Sequence, residues 1–403
     1  MHCGILILIY IILFKVVNMN HYPVAVNSCK VYNDSLTELI YNQMKASGVT
    51  KEMLDGKKIA IKPNLVISKK PEIGATTHPV FLRCAISALK MFGAENAEYI
   101  VAESSGGPYT TATIKNHYSV CGIDEACGAP LNYSTDAQIV MYPDGETCKR
   151  FNVITPIAEA DVILNVCKLK THSLTKISCA QKNYFGVIPG IEKFEMHAAY
   201  SDQKDFRSML CDLSEMLRSN KTLINVCDGI LGMEGNGPTG GTPRHFGVVL
   251  TSLSPYCLDL AAEKILGFEG TAPMVTLAKE RGLCPDSADK LTVVGESLDD
   301  LVIDDVVPPD SQRKTFLSQL PNIMGGKLAG FFSPKPYINT SKCVGCGECV
   351  RSCPMHTIEL VEKSGKKQAK INRGDCILCY CCQELCPIVA VDVKQNFLIK
   401  LVH

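Results

Sequence analysis

The sequence predicts a large α/β domain with a mostly parallel sheet, followed by a small, cysteine-rich module. Three observations lead there. Short apolar runs alternate with helix-like stretches from residue 22 to about 310. Pro308-Pro309 then interrupts the pattern. Beyond it, nine of the 21 cysteines fall between Cys343 and Cys386.

In chain order, residues 5–14 form a continuous apolar run followed by Lys15, Val16 and Val17. The run is shorter than the about 20 residues that span a bilayer. It also lacks the basic start and small-residue cleavage site of a signal peptide. Residues 1–18 therefore read as an apolar segment outside the fold. Translation from Met19 is the favoured reading, and a membrane anchor is the other one.

The α/β domain is expected over residues 22–310. Its strands are read at 24–31, 58–61, 99–102, 162–166, 222–226, 246–250 and 291–294, and its helices at 35–46, 79–91, 206–219 and 258–266. Asp34 is read as the N-cap of the first helix and Gly48 as its stop. Residues 311–336 form a linker, and 337–403 form the cysteine-rich module. Within that module, Ser364 to Lys367 reads as a polar hairpin tip.

Composition narrows the function classes. The 403 residues are 46% hydrophobic and 20% charged, which excludes wholesale disorder, a collagen repeat and a polytopic membrane protein. Basic and acidic residues balance at 41 each, so the electrostatic footprint of a nucleic-acid binder is missing. Clustered cysteines in a long chain indicate metal and a reducing, cytoplasmic setting rather than a disulfide framework.

The module contains an internal repeat. Cys343, Cys346, Cys349 and Cys353-Pro354 recur as Cys376, Cys379, Cys382 and Cys386-Pro387. Three cysteines spaced by two residues wrap one iron–sulfur cube, and the fourth, before proline, reaches across to the other. By that rule Cys343, Cys346, Cys349 and Cys386 hold one 4Fe–4S cluster, and Cys376, Cys379, Cys382 and Cys353 hold the second. Gly345 and Gly347 allow the tight loop. Paired zinc sites are the competing reading, but zinc ribbons rarely repeat three tandem cysteines followed by Cys-Pro. Cys381 falls out of the ligand register and reads as a packing thiol. The module resembles a bacterial two-cluster ferredoxin, which implies a small α+β fold of βαβ type and low-potential one-electron transfer.

In the large domain, Gly235 to Gly240 matches a dinucleotide-binding glycine pattern. Pro238 and Pro243 stand where the required helix would begin, so the segment reads as a turn or a pocket-lining loop. Polar residues at strand ends carry more information, because parallel α/β sheets bind ligands there. Lys62 and Asn64 follow one strand, Thr77 and His78 open a helix, and Lys168, Lys170 and His172 follow another strand. Lys182 and Asn183 come next. Such groups suit a carboxylate or phosphate by charge and hydrogen bonding.

The ordered set Lys62 to Asn64, His78-Pro79, Glu103-Ser104, Lys168 to His172, Lys182-Asn183, Gly186, His197, Asp228-Gly229 and Glu234 to Pro238 resembles the family called domain of unknown function 362. The resemblance covers about residues 22–300 plus the cysteine tail, and it implies an iron–sulfur protein of anaerobic-type metabolism.

Three functional readings follow. In the first, an enzyme binds a small anionic or carbonyl substrate, and two 4Fe–4S clusters exchange electrons with it. Lys168, His172, Lys182 and His197 are then the candidate catalytic residues, with His172 or His197 donating the proton. Lys62, Asn64, His78, Lys170 and Asn183 are the candidate substrate-binding residues. In the second, the chain is an electron carrier or maturation factor that docks a redox partner such as a ferredoxin, a flavodoxin or an oxidoreductase. In the third, His172 and His197 help to form a second metal site.

Overall fold

The computed structural model describes residues 22–312, 334–363 and 365–394. The readings of residues 1–18 and Met19, of most of the linker and of Ser364 lie outside the described residues.

The large domain contains β1 (Val24–Ser28), β2 (Lys58–Pro63), β3 (Glu98–Val101), β4 (Ala137–Met141), β5 (Arg150–Ile154), β6 (Val162–His172), β7 (Lys176–Ser178), β8 (Thr222–Glu234), β9 (Thr242–Ser252) and β10 (Val293–Gly295). Its helices are α1 (Leu36–Ala46), α2 (Pro79–Lys90), α3 (Thr111–Val120), α4 (Thr155–Ala158), α5 (Ala180–Asn183), α6 (Glu192–Ala199), α7 (Gln203–Asn220), α8 (Pro255–Ile265) and α9 (Pro273–Glu280). The main sheet has the order β10-β1-β9-β8-β6-β2-β3, with β7 added on β6. All of its strands except β9 and β7 point one way, so the sheet is mixed but mostly parallel.

Both faces of this sheet are covered. Ile224 and Val226 of β8 face a core built with Leu36, Ile40, Phe81 and Leu82 of α1 and α2. Cys227, next on the same strand, faces a core built with Leu258, Leu260 and Ala261 of α8. Burial on both sides explains why these strands read as continuous apolar runs. Helix starts are locally encoded: Ser254 caps α8 by accepting from Cys257 N–H, with Pro255 in the first turn. At α1 the capping position is Ser35 rather than Asp34, and Asp34 instead pairs with Arg83 at 2.6 Å. Gly48 does follow that helix in a positive-φ conformation.

Two strands run further than their apolar patterns indicate. β6 continues through Lys168, Lys170 and His172, and β8 continues through Asp228 to Glu234. Their polar ends stay paired in the sheet because other elements bury them. The β4–β5 hairpin was not anticipated, since its exposed Ile139 and Met141 face away from the core.

The cysteine-rich module consists of β11 (Lys335–Ile338), α10 (Glu348–Arg351), β12 (Ile358–Lys363), β13 (Lys366–Ile371), α11 (Cys381–Glu384) and β14 (Val391–Lys394). β11 pairs with β14 and β12 with β13, both antiparallel. The internal repeat is visible in the backbone. Gly345, Gly347 and His356 have positive φ, and so do Leu378, Tyr380 and Val389, each 33 positions later. Leu378 and Tyr380 thus adopt a left-handed conformation that the first copy gives to glycine, a strained choice for an L-residue.

The module sits against the carboxyl end of the sheet. Ser173 Oγ donates to Gln383 Oε1 at 2.9 Å, Gln383 Nε2 to Asn236 O at 2.7 Å, and Thr239 Oγ1 to Glu384 O at 2.6 Å. The glycine-rich segment Gly235 to Gly240 is the turn between β8 and β9 and forms part of this seat. It does not open a helix, so the dinucleotide reading fails on structural context.

Candidate functional site

A cavity of about 70 Å³ lies where the module meets the sheet. Its wall includes Asn64, Lys170, His172, Lys182, Asn183 and His197 from the α/β domain, and Cys381 and Glu384 from the module. Five of the residues read from strand ends therefore converge on one space, together with His197. Lys62 lies beside it, fully buried and paired with the cavity residue Glu103 at 2.7 Å.

Lys168 and His78 lie outside this cavity. Lys168 is fully buried and pairs with Asp228 at 2.7 Å, its register neighbour on β8. Tyr32 donates to Asp228 Oδ1 at 2.8 Å, and its ring stacks on His78 at 3.8 Å. His78 N–H donates to Asp228 Oδ2 at 3.0 Å, and His78 Nδ1 caps α2 by accepting from Val80 N–H. These residues tie α2 and the β1–α1 connection to the central sheet.

Beneath the cavity runs a chain of amides. Lys170 Nζ donates to Asn64 Oδ1 at 2.9 Å, and Asn64 Nδ2 donates to Asn183 Oδ1 at 2.7 Å. Asn183 Nδ2 donates to Asn165 Oδ1 at 2.7 Å, and Asn165 Nδ2 to Asn225 Oδ1 at 2.9 Å. Tyr184 O–H closes the chain on Asn225 Oδ1 at 2.7 Å. Such a fully partnered buried network fixes side-chain positions, because any broken link leaves a dry polar group.

The cations of the cavity differ in what holds them. Lys193 Nζ donates among four oxygens, including Ser104 O and Ile188 O at 2.6 Å each, so it braces two loops. Lys182 Nζ has no hydrogen-bond partner among the described residues and lies 4.8 Å from the Phe185 ring centroid. Burial depresses Lys182, and it lowers Lys170 to about 7, with the Lys182 charge adding to the effect on Lys170. Burial lowers Lys193 to about 7 as well.

Both cavity histidines are neutral. Burial, then the Lys182 and Lys170 charges, hold His172 well below the usual imidazole range. His197 is lowered to about 3 by burial and by Lys182, and it stacks on Phe206 at 4.1 Å. His172 Nδ1 accepts from Leu174 N–H at 3.0 Å, which leaves the proton on Nε2. That Nε2 lies 3.3 Å from Glu384 Oε1, close but not aligned as a hydrogen bond, since Glu384 Oε1 has no such partner. Neutral histidines are hydrogen-bond donors and acceptors rather than ready proton sources.

The module holds two further cavities. Cys343, Cys346, Cys349 and Cys386 line one, and Cys353, Cys376, Cys379 and Cys382 line the other. Neither quartet brings three sulfurs within 4.8 Å of one another, whereas thiolates on a single zinc ion lie about 3.8 Å apart for Zn–S bonds of about 2.3 Å. The wider spacing fits a larger group. Backbone N–H groups point at these sulfurs: Ala390 N to Cys386 at 3.1 Å, Thr357 N to Cys353 at 3.3 Å, and Ala369 N to Cys343 at 3.5 Å. Donors of this kind stabilise thiolate ligands.

Cys167, Cys179 and Cys227 do group within 4.8 Å, the one such set of metal-ligating side chains among the described residues. They sit in an apolar core with Leu169, Val248 and Tyr256. There, cysteine behaves as a small hydrophobe. Neither His172 nor His197 belongs to a metal-ligating group among the described residues.

Sequence reasoning missed Lys193, Glu384, Asn165 and Asn225 as site residues and read Cys381 as packing. The asparagines stand at the same register on β6 and β8 inside apolar runs, a signal that could have been used. Glu384 and Cys381 become site residues only through docking of the module.

Comparison with known proteins matches two parts of the chain. The family model for domain of unknown function 362 matches residues 59–264, and the model for a 4Fe–4S dicluster domain matches 342–390. The chain is 28% identical over 264 residues to the thylakoid-associated protein sll1697 of Synechocystis sp., covering 63% of this chain and 77% of that protein. Its tail is 38% identical over 60 residues to a ferredoxin of Methanothermococcus thermolithotrophicus, covering 14% of this chain and 95% of the ferredoxin. The lactate racemase apoprotein of Thermoanaerobacterium thermosaccharolyticum aligns with a TM-score of 0.38 at 10% identity, over 63% of this chain and 59% of that one. The chain thus belongs to the domain of unknown function 362 family and carries a C-terminal ferredoxin-type domain whose cofactors are two 4Fe–4S clusters.

Proposed function

We propose that this protein is an oxidoreductase that exchanges low-potential electrons with a small anionic or carbonyl substrate bound in the cavity between its two domains. One observation carries the reading. Cys381 forms part of the cavity wall, and the next residue, Cys382, belongs to one cysteine quartet. In this reading Cys343, Cys346, Cys349 and Cys386 hold the outer cluster, and Cys353, Cys376, Cys379 and Cys382 hold the inner one. The clusters supply one-electron chemistry, delivered one electron at a time.

The chain's own residues do the rest. Lys182 Nζ, with no hydrogen-bond partner among the described residues, attracts an anionic or carbonyl oxygen, and Lys170 reinforces it from the amide chain. Lys170, lowered to about 7, loses its proton near neutral pH and so supplies the proton that a carbonyl carbon or oxygen needs on reduction. His172 Nε2–H orients the substrate, while His197, Phe185 and Phe194 wall off water. Lys168 and His78 are structural. The free cysteines fit a reducing compartment, and we place the protein in the cytoplasm. Among the described residues no helix is long and apolar enough to cross a membrane.

The test is anaerobic purification, mass spectrometry of co-purified small molecules, and a screen of small carboxylates and carbonyl compounds against the reduced protein. A compound that reoxidises the wild type rapidly and Lys182→Met slowly supports the proposal. If nothing reoxidises it faster than buffer, while a partner protein does, the chain is a carrier instead.

A further inference from the structure

We propose that the face over Cys346 is the docking site for an acidic electron-carrier protein of the flavodoxin type. This inference rests on the electron-transfer reading above and names the partner that serves it.

The two cysteine quartets are not equally placed. The loop that bears Cys376, Cys379 and Cys382 packs inward, with Tyr380 and Leu378 against the Phe151 and Tyr184 core of the α/β domain. The other quartet faces outward. Cys346 is exposed. Val344 is 66% and Ile388 39% exposed, and both line the cavity of that quartet. An apolar spot therefore lies directly over the outer sulfurs.

Basic residues rim this spot. Lys342 precedes Cys343, and Lys367 packs on Gly345, where an added Cβ would come within 2.8 Å of the Lys367 Cβ. Lys366 adjoins it and stands opposite Lys363 across the hairpin, a like-charge juxtaposition. Lys342, Lys363, Lys366 and Lys367 are all exposed, and none is in an ion pair among the described residues. The acidic groups here are few: Glu348 is tied to Arg351, and Glu362 stands opposite Lys367 without pairing to it. Two 4Fe–4S clusters, each about −2 with its four thiolates, offset the excess of ten Lys/Arg over six Asp/Glu across residues 335–403, so the basic character belongs to this lysine rim and not to the module as a whole.

An apolar centre inside a basic rim is the arrangement that steers and seats a carrier of opposite charge. An acidic protein binds it, and a basic one is repelled. In the transfer one electron leaves the reduced carrier and reduces the chain by one electron; no bond forms or breaks.

The test uses the full chain with its clusters, purified anaerobically, and flavodoxin as the probe. Binding is measured by calorimetry, and the rate of cluster reduction by reduced flavodoxin is followed in parallel. Raising the ionic strength from about 0.02 to 0.3 M shortens the screening length severalfold and should weaken binding. The triple variant Lys342→Glu, Lys366→Glu, Lys367→Glu should lose about tenfold or more in affinity and rate, within the range of electrostatic steering. Iron content and the extent of reduction by excess dithionite should be unchanged, which shows that the module is folded and loaded. Binding that is indifferent to salt and to charge reversal, or equally tight binding of a basic cytochrome c, overturns the proposal. Normal carrier binding without any substrate that reoxidises the protein leaves this surface standing and refutes the enzyme reading alone.

Discussion

Replacing Gly186 by alanine should strike the site through a pair that the new methyl group does not belong to. A Cβ at Gly186 would lie 2.0 Å from Glu103 Oε1 and 2.6 Å from Lys62 Nζ. Lys62 and Glu103 are buried and form a 2.7 Å ion pair. Neither group has a free route aside: Lys62 Nζ also donates to Pro63 O at 3.1 Å, and Glu103 Oε2 also accepts from Leu65 N–H at 3.4 Å. Admitting the methyl group requires the carboxylate to swing off the ammonium. Breaking a buried pair costs about 3–5 kcal/mol, a large part of a typical total of about 5–15 kcal/mol. Anaerobic urea unfolding should therefore show a fall of about 3 kcal/mol or more. Gly374→Ala serves as the control, since its nearest atom would be 3.6 Å away. A double-mutant cycle sharpens the point: once Glu103→Ala has removed the 2.0 Å contact and freed Lys62 to shift from the 2.6 Å one, adding Gly186→Ala should cost less than it does alone. A loss below about 0.5 kcal/mol for Gly186→Ala alone, the range of ordinary surface substitutions, would refute the reasoning.

Other expectations concern charge and ligands. Lys182→Met should weaken binding of an anionic ligand about tenfold or more, as expected for a charge-assisted hydrogen bond of about 1.5–3 kcal/mol, while the urea midpoint moves little. Lys170, lowered from 10.5 to about 7 in the fold, binds fewer protons than in the unfolded chain between those values. Its presence therefore makes stability rise with pH across that window, and Lys170→Met should flatten the rise in a pH series of urea midpoints. Ligand affinity should fall in the same window as the ammonium is lost. Cys346→Ser and Cys379→Ser should each lower the iron content from about eight toward about four per chain; unchanged iron and EPR spectra would mean the ligand assignment is wrong.

How much of this was legible in the sequence depended on how local the cause was. The cysteine quartets were readable because a ligand loop is short and its spacing is set by the group it wraps. Even there, the positive φ of Leu378 and Tyr380 had no glycine to announce it. The central strands were readable while apolar, and they were lost where Lys168, Lys170 and Asp228 began, because tertiary pairing and not pattern keeps those residues buried. Strand-end position pointed to Lys170, His172 and Lys182, which line one cavity. It did not separate them from Lys168, which differs only in having Asp228 at its register position. The lid of the cavity, Cys381 with Glu384, depends on how one domain seats on the other, and no local signal encodes that.

The claim that the cavity is served by the inner quartet has a direct spectroscopic test. The EPR spectrum of the reduced protein is recorded with and without saturating ligand from the screen, in the wild type and in Cys346→Ser, which leaves the inner quartet intact. The account predicts that the ligand alters the signal in both proteins, and that Lys182→Met removes the effect. A ligand that changes only the signal lost in Cys346→Ser, or that binds without changing either, would contradict it.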